Sequence, residues 1–259
     1  MTENEIRYGF WRFDKCQKWP PNSIIQPEEF IHSDKLALFI TQTSLKPSLQ
    51  KKILDDWCEI LPCLTEVKYL WFTSRVSQKM FDAACEMKNL EGFWIKWSGI
   101  KKIYKIEKLR NLKHLHIGSS SQIESIEVLK KLKSLVTLEL EQLNKISNFS
   151  VISELTQLEG LGIDGSIWTT QKIDSLKPIE NLTYLKFLTT TNSRIIDKSF
   201  DPILKLNNLI RFNCSWNYPE SEFEKLKSMP NLKYGNVVTS WKEVKEKLIK
   251  LSNKTSNTY

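Results

Sequence analysis

The chain has 259 residues, with 38 Lys plus Arg against 30 Asp plus Glu, a formal charge of +8. At 41% hydrophobic and 26% charged it can bury a sizeable core, which excludes an intrinsically disordered chain. Its 8 glycines exclude collagen-like and glycine-rich phosphate-cradling designs. Nine tryptophans demand a structural or binding explanation, and 3 histidines leave little material for histidine-based catalysis.

The N-terminal residues 1–7 are acidic where a secretory signal is basic, and no apolar stretch follows them. No run approaches the ~18 apolar residues that cross a bilayer. Cys16, Cys58, Cys63, Cys85 and Cys214 are odd in number and scattered, as expected of reduced thiols. These features point to a cytoplasmic chain with no membrane partner. Residues 6–13 alternate like a strand, and Trp19, Pro20 and Pro21 force a loop after it. Residues 36–41 read as a capping strand. Leu49, Ile53, Leu54, Trp57 and Ile60 have helical spacing, which predicts a helix from Ser48 to Leu61, before Pro62. Residues 1–62 thus form an N-terminal cap continuous with the rest of the chain.

From residue 67 an apolar triplet spaced L-x-x-L-x-L recurs. Its members are Val67/Leu70/Phe72, Leu90/Phe93/Ile95, Leu112/Leu115/Ile117, Leu135/Leu138/Leu140, Leu158/Leu161/Ile163, Leu182/Leu185/Phe187, Leu209/Phe212/Cys214 and Leu232/Gly235/Val237. Their starts lie 23, 22, 23, 23, 24, 27 and 23 residues apart. Positions four and six share one face of a short strand. Each strand precedes an apolar comb of period three, such as Ile100, Ile103, Ile106 and Leu109, which suits 3-10 turns. One unit cannot bury both combs, so the units stack with their strands in a parallel sheet. About eight units span residues 63–239. Residues 240–259 add a capping helix (Trp241, Val244, Leu248, Leu251) and a frayed tail.

This pattern resembles the leucine-rich repeat family, specifically its 22-residue internalin-like class, over roughly residues 60 to 240. The resemblance implies an α/β solenoid: a horseshoe with a parallel concave sheet, a convex side of 3-10 and short helical turns, and capped ends. It also implies a protein-binding role. The family often carries Asn at position nine of each unit. Here that position holds Arg75, Ser98, Ser120, Leu143, Ser166, Thr190 and Asn217, so the asparagine ladder is largely missing and irregular turns are expected.

Positions two, three, five, seven and eight project from the concave face. They present Tyr69, Trp71, Trp94, Lys96, Trp97, His114, His116, Glu139, Glu141, Glu159, Asp164, Tyr184, Lys186, Arg211, Asn213, Trp216, Tyr234 and Asn236. Of these, the candidate partner-binding residues are Tyr69, Trp71, Trp94, Lys96, Trp97, His116, Glu139, Glu141, Asp164, Tyr184, Arg211, Trp216 and Tyr234. Aromatics flanking an acidic centre suit a protein partner, because Trp, Tyr and Arg dominate binding hot spots. The concave positions are nearly neutral, Lys68, Lys96, Lys113, Lys186, Arg211 and Lys233 standing against Glu91, Glu139, Glu141, Glu159 and Asp164. The basic excess lies on the convex side, at Lys101, Lys102, Lys105, Lys108, Arg110, Lys130, Lys131 and Lys133. That separates lysines from aromatics and disfavours nucleic acid, the alternative partner.

His114 and His116 share a face beside Glu139, but no fourth ligand is apparent and no metal or other cofactor is expected. No Gly-x-Ser-x-Gly elbow occurs, an open trough does not desolvate a carboxylate, and Cys214 is a core position. The expectation is therefore a non-enzymatic interaction module, a scaffold or an immunity-type inhibitor. Its long units, with Trp168 and residues 189–193, are natural places for specificity loops.

Overall fold

A computed structural model describes residues 1–11 and 20–238 of the chain. Its strands are β1 (Lys35–Leu38), β2 (Tyr69–Phe72), β3 (Gly92–Ile95), β4 (His114–Ile117), β5 (Thr137–Glu141), β6 (Gly160–Asp164), β7 (Gln171–Ile173), β8 (Phe187–Thr190), β9 (Ser193–Ile195) and β10 (Arg211–Cys214). Eight of them form one open parallel sheet in the order β1-β2-β3-β4-β5-β6-β8-β10, while β7 and β9 pair separately. Leu70, Phe93, Leu115, Leu138, Leu161, Leu188 and Phe212 are fully buried and stand in one in-register row, so every unit closes the core of its neighbour.

The period-three combs become 3-10 turns at Tyr104–Lys108, Glu127–Lys131, Ser150–Glu154, Lys177–Ile179 and Asp201–Lys205. Nearer the N-terminus the convex layer is α-helical instead. Helix α2 (Pro47–Ile60) drives Trp57 fully into the core, where its indole N–H donates to the Ile25 carbonyl at 2.7 Å. Helix α3 (Gln78–Ala84) is capped by the Ser77 hydroxyl, and α4 (Glu220–Leu226) covers the last units with Phe223 and Leu226.

Three expectations need correction. Residues 3–8 are a helix, α1 (Glu3–Tyr8), not a strand: Thr2 and Glu5 form a reciprocal capping box. Gly9, at φ 87°, then turns the chain out of the helix. Second, the sixth unit is displaced by three residues. Gly160, Leu161 and Gly162 pair with Phe187, Leu188 and Thr189, so the triplet is Leu185/Leu188/Thr190. Leucines at 182, 185 and 188 satisfy both registers, and only pairing with β6 decides between them. Third, the eighth unit contributes a single bridge, Tyr234 to Arg211, followed by a 3-10 turn at Asn236–Val238. The expected helix and tail beyond residue 238, and residues 12–13 of the expected first strand, lie outside the described residues.

Serine replaces the missing asparagine ladder. The Ser98 and Ser120 hydroxyls bond one another at 2.7 Å, and Ser120 also donates to the Gly118 carbonyl. In the corrected register position nine of the sixth unit is Ser193, which donates to the Ile163 carbonyl at 2.6 Å. At Leu143, which has no polar group to offer, Gln171 of β7 accepts the backbone N–H instead. These turns are thus satisfied without Asn, whereas after β10 Asn236 bonds both the N–H and the carbonyl of Cys214.

Candidate functional site: an acidic cavity on a partly covered concave face

The concave face carries two in-register rows. One is Tyr69, Gly92, His114, Thr137, Gly160, Phe187 and Arg211; the other is Trp71, Trp94, His116, Glu139, Gly162, Thr189 and Asn213. Residues 1–11 lie across the first row. Phe10 stacks on His114 with ring centroids 3.5 Å apart, and Trp11 meets Trp71 edge-on at 5.6 Å. Gly9 passes over Phe187 and Glu139. The Arg211 guanidinium donates to the Arg7 carbonyl, and the Met1 ammonium pairs with Glu159, which also binds Lys186 at 3.0 Å.

This cover changes the standing of the predicted anchors. Trp71 is 1% exposed, sealed by Trp11, and Trp94 is half-buried, stacked on His116 at 5.2 Å. Trp216 is half-buried because its ring stacks on Phe223 of α4 at 5.1 Å. Tyr69 is half-buried against Trp71, and Tyr234 lies beside Arg7. Tyr184, displaced by the register shift, leaves the strand and stands exposed on the turn before β8. Trp97 is exposed at the end of β3, beside the Lys96 ammonium.

The predicted acidic centre, by contrast, is assembled. Glu139, Glu141, Asp164, His116 and Arg211 line a cavity of about 310 Å³, bounded on one side by Tyr8 and Gly9 and on another by Ile167. His116 is 4% exposed and its Nδ1 lies 3.0 Å from Glu139 Oε2. Glu141 accepts from the Ser119 hydroxyl. Asp164 Oδ1 accepts from the Thr189 hydroxyl at 2.9 Å, the Thr191 N–H at 2.6 Å and the Thr191 hydroxyl at 2.8 Å. Burial pushes its carboxyl up to about 6, the threonine bonds opposing the rise and Glu139 adding to it. His114, half-buried beneath Phe10, is pushed down to about 3, chiefly by its loss of solvent, and is a neutral stacking platform.

At the cavity rim, the loop between β6 and β7 holds two large apolar side chains in solvent: Ile167 is 81% and Trp168 88% exposed. The loop is fixed rather than loose. The Ser166 hydroxyl accepts the N–H groups of Trp168 and Thr169, and Gly165 N–H donates to the Thr191 carbonyl. A β-carbon at Gly165 would collide with the Asn192 carbonyl, so only glycine lets this loop seat. Ile167 was not singled out from the sequence. The available signal was an apolar pair inside the fifth unit, which becomes the longest only in the corrected register.

Among the described residues, no group of three His, Cys, Asp or Glu side chains is arranged to hold a metal ion. His116 is committed to Glu139 and His114 to the Thr137 hydroxyl at 2.9 Å. Cys214 is buried and burial pushes its thiol up, away from nucleophilic use. Cys58, Cys63, Cys85 and Cys214 are free thiols. No helix among the described residues is long and apolar enough to cross a membrane.

No protein-family model matches the sequence, and no curated protein matches it. Solved structures do match its fold. Internalin C2 of Listeria monocytogenes superposes with a TM-score of 0.52 at 19% identity, over 70% of this chain and 80% of that one. A second internalin of the same organism gives 0.50 at 20% identity, over 68% of this chain and 56% of that one. With its parallel strand order, 22- to 27-residue units and convex 3-10 turns, the chain has the leucine-rich repeat fold, built as in the internalins.

Proposed function

We propose that the chain is a non-enzymatic protein-binding module. Its partner seats on the concave face between α1 and the Ile167–Trp168 loop, with a basic side chain entering the cavity of Glu139, Glu141 and Asp164. The observation that carries this reading is the fixed, almost fully exposed Trp168, the chain neighbour of Ile167, which lines that cavity. A folded monomer gains nothing by holding an indole in water, whereas a Trp next to a recessed charged pocket has the anatomy of an interface hot spot. Among the described lining residues, Glu141 and Asp164 stand beside the His116–Glu139 pair against one guanidinium, Arg211, and this balance favours a basic partner surface. Trp97 and Tyr184 extend the exposed aromatic rim. By masking a basic surface the module would act as an inhibitor of its partner.

The convex lysines give the nucleic-acid alternative little support. Lys105 pairs with Asp82, Lys108 with Glu86, Lys130 with Glu127 and Lys133 with Glu154. Affinity capture with the wild type beside Trp168→Ala and Glu141→Gln tests the reading. The captured partner is expected to bind Trp168→Ala about 30-fold more weakly, as a 2 kcal/mol hot spot implies. Trp168 touches no core residue, so its removal leaves the fold intact. A partner retained equally by both variants overturns the proposal.

A further inference from the structure

We propose that the first concave row is a peptide-binding groove for segments that present two adjacent aromatic side chains after a helical turn, and that residues 1–11 are its intramolecular occupant. This inference does not rest on the cavity reading above; it concerns the covered half of the same face.

Four observations support it. The groove is shaped to admit a chain: Gly92, Thr137 and Gly160 interrupt the bulky row, and a β-carbon at Gly160 would press to 2.8 Å from the Met1 sulfur. The occupant is bound by side chains. No backbone-to-backbone hydrogen bond ties α1 to the sheet among the described residues, whereas Ile6, Phe10 and Trp11 are 5–6% exposed. Its aromatic packing is separate from the core. Phe10, Trp11, Ala37 and Trp71 form a cluster of their own, with Tyr69 and Trp94 against it, and the main core includes none of residues 1–11. Lifting the segment therefore leaves the repeats packed. What it uncovers is His114 and Phe187 of the first row, with the indole of Trp71 in the adjacent row, an aromatic patch of the kind that marks a binding groove.

The recognition elements can be read from the occupant. Two consecutive rings bind Trp71 and the neutral His114, a residue without a side chain crosses Phe187, and a main-chain carbonyl takes the Arg211 guanidinium. A competing peptide needs the same aromatic pair, and the tethered segment lowers its apparent affinity by the fraction of time the groove is filled.

The probe is a synthetic peptide of residues 1–11, with a fluorophore at its C-terminus. Titrated into the full-length Phe10→Ala/Trp11→Ala chain, it is expected to bind and to shift the His114 ring resonances. Wild type, its groove already filled, should bind the peptide at least tenfold more weakly. A peptide carrying the same two alanines should lose at least tenfold on the variant chain. Equal affinity for the two chains, indifference to the aromatic pair, or no binding by a folded variant each overturns the proposal. A second chain guards against a variant that fails to fold. It carries a protease site inserted after residue 11 and is cut once folded. Its released segment should remain associated and be displaced by excess peptide; a segment that dissociates at once, or that excess peptide never displaces, equally refutes the groove.

Discussion

At the scale of single residues, Asp164 shows how the site trades stability for charge. The three bonds into Oδ1 come from Thr189 and Thr191, yet burial raises the carboxyl to about 6. Raised above its ordinary 3.8, the group favours the folded state while protonated, and that contribution fades as pH climbs through 6. At neutral pH the folded chain holds a charge that burial and Glu139 disfavour and the threonine bonds favour. Asp164→Asn keeps the acceptor and removes the charge. We expect it to stabilise the chain by about 1 kcal/mol at pH 7 and to leave it unchanged at pH 4, measured by denaturant unfolding. Asp164→Ala strands two hydroxyls and an N–H and should cost about 1–3 kcal/mol at either pH. Strand alternation was enough to place Asp164 on the concave face. Its threonine shell was hidden, because Thr189 lies in β8 and Thr191 just after it, a strand whose register the leucine pattern left ambiguous by three.

At the scale of elements, the strands and 3-10 turns were legible because their spacing carries the physics: a period of two, then a period of three, each repeated until stacking was forced. The position-nine turn was legible only in part. The absence of Asn predicted irregularity, but the serines restore an ordered ladder, each hydroxyl reaching a neighbouring unit's turn. Ser120 is the test of that ladder, being fully buried and bonded to both Ser98 and the Gly118 carbonyl. Ser120→Ala leaves these partners unsatisfied and should lower stability by about 1–3 kcal/mol in thermal or urea unfolding, while Ser134→Ala, on the surface, should shift it by less than about 0.5 kcal/mol. The α1 helix was misread for a different reason. Ile6, Tyr8 and Phe10 alternate as a strand would, and the competing signal, a capping box at Thr2 and Glu5, lies outside that alternation.

At the scale of the molecule, part of the chain's lysine content is neutralised in rungs between successive units: Lys79 to Asp55, Lys105 to Asp82, Lys205 to Glu180 and Lys225 to Asp201. Such exposed pairs add little stability each, but they keep the convex side from presenting a bare basic field. The opposite side is governed by residues 1–11, which touch the sheet from Trp71 near one end to Arg211 at the other. No local pattern could announce that span, since it joins positions up to 231 residues apart. Its hinge on pH is His114. Phe10 and Trp11 cover the ring, Thr137 bonds Nδ1, and Lys113 and the Met1 ammonium oppose a charge that Glu91 and Glu159 would favour. Burial outweighs the carboxylates and holds the ring neutral down to about 3. Once uncovered, a histidine returns toward its ordinary 6.5, so below that value the uncovered state takes up a proton that the covered state refuses. Docking of residues 1–11 is therefore fully stable above about pH 6.5 and weakens as pH falls toward 3, by up to tenfold per unit. Amide exchange of residues 3–11, corrected for its intrinsic pH dependence, should accelerate between pH 6.5 and 5 in the wild type. In His114→Phe, which keeps the stacking surface and cannot titrate, that acceleration should vanish; its persistence would place the pH response elsewhere on the face.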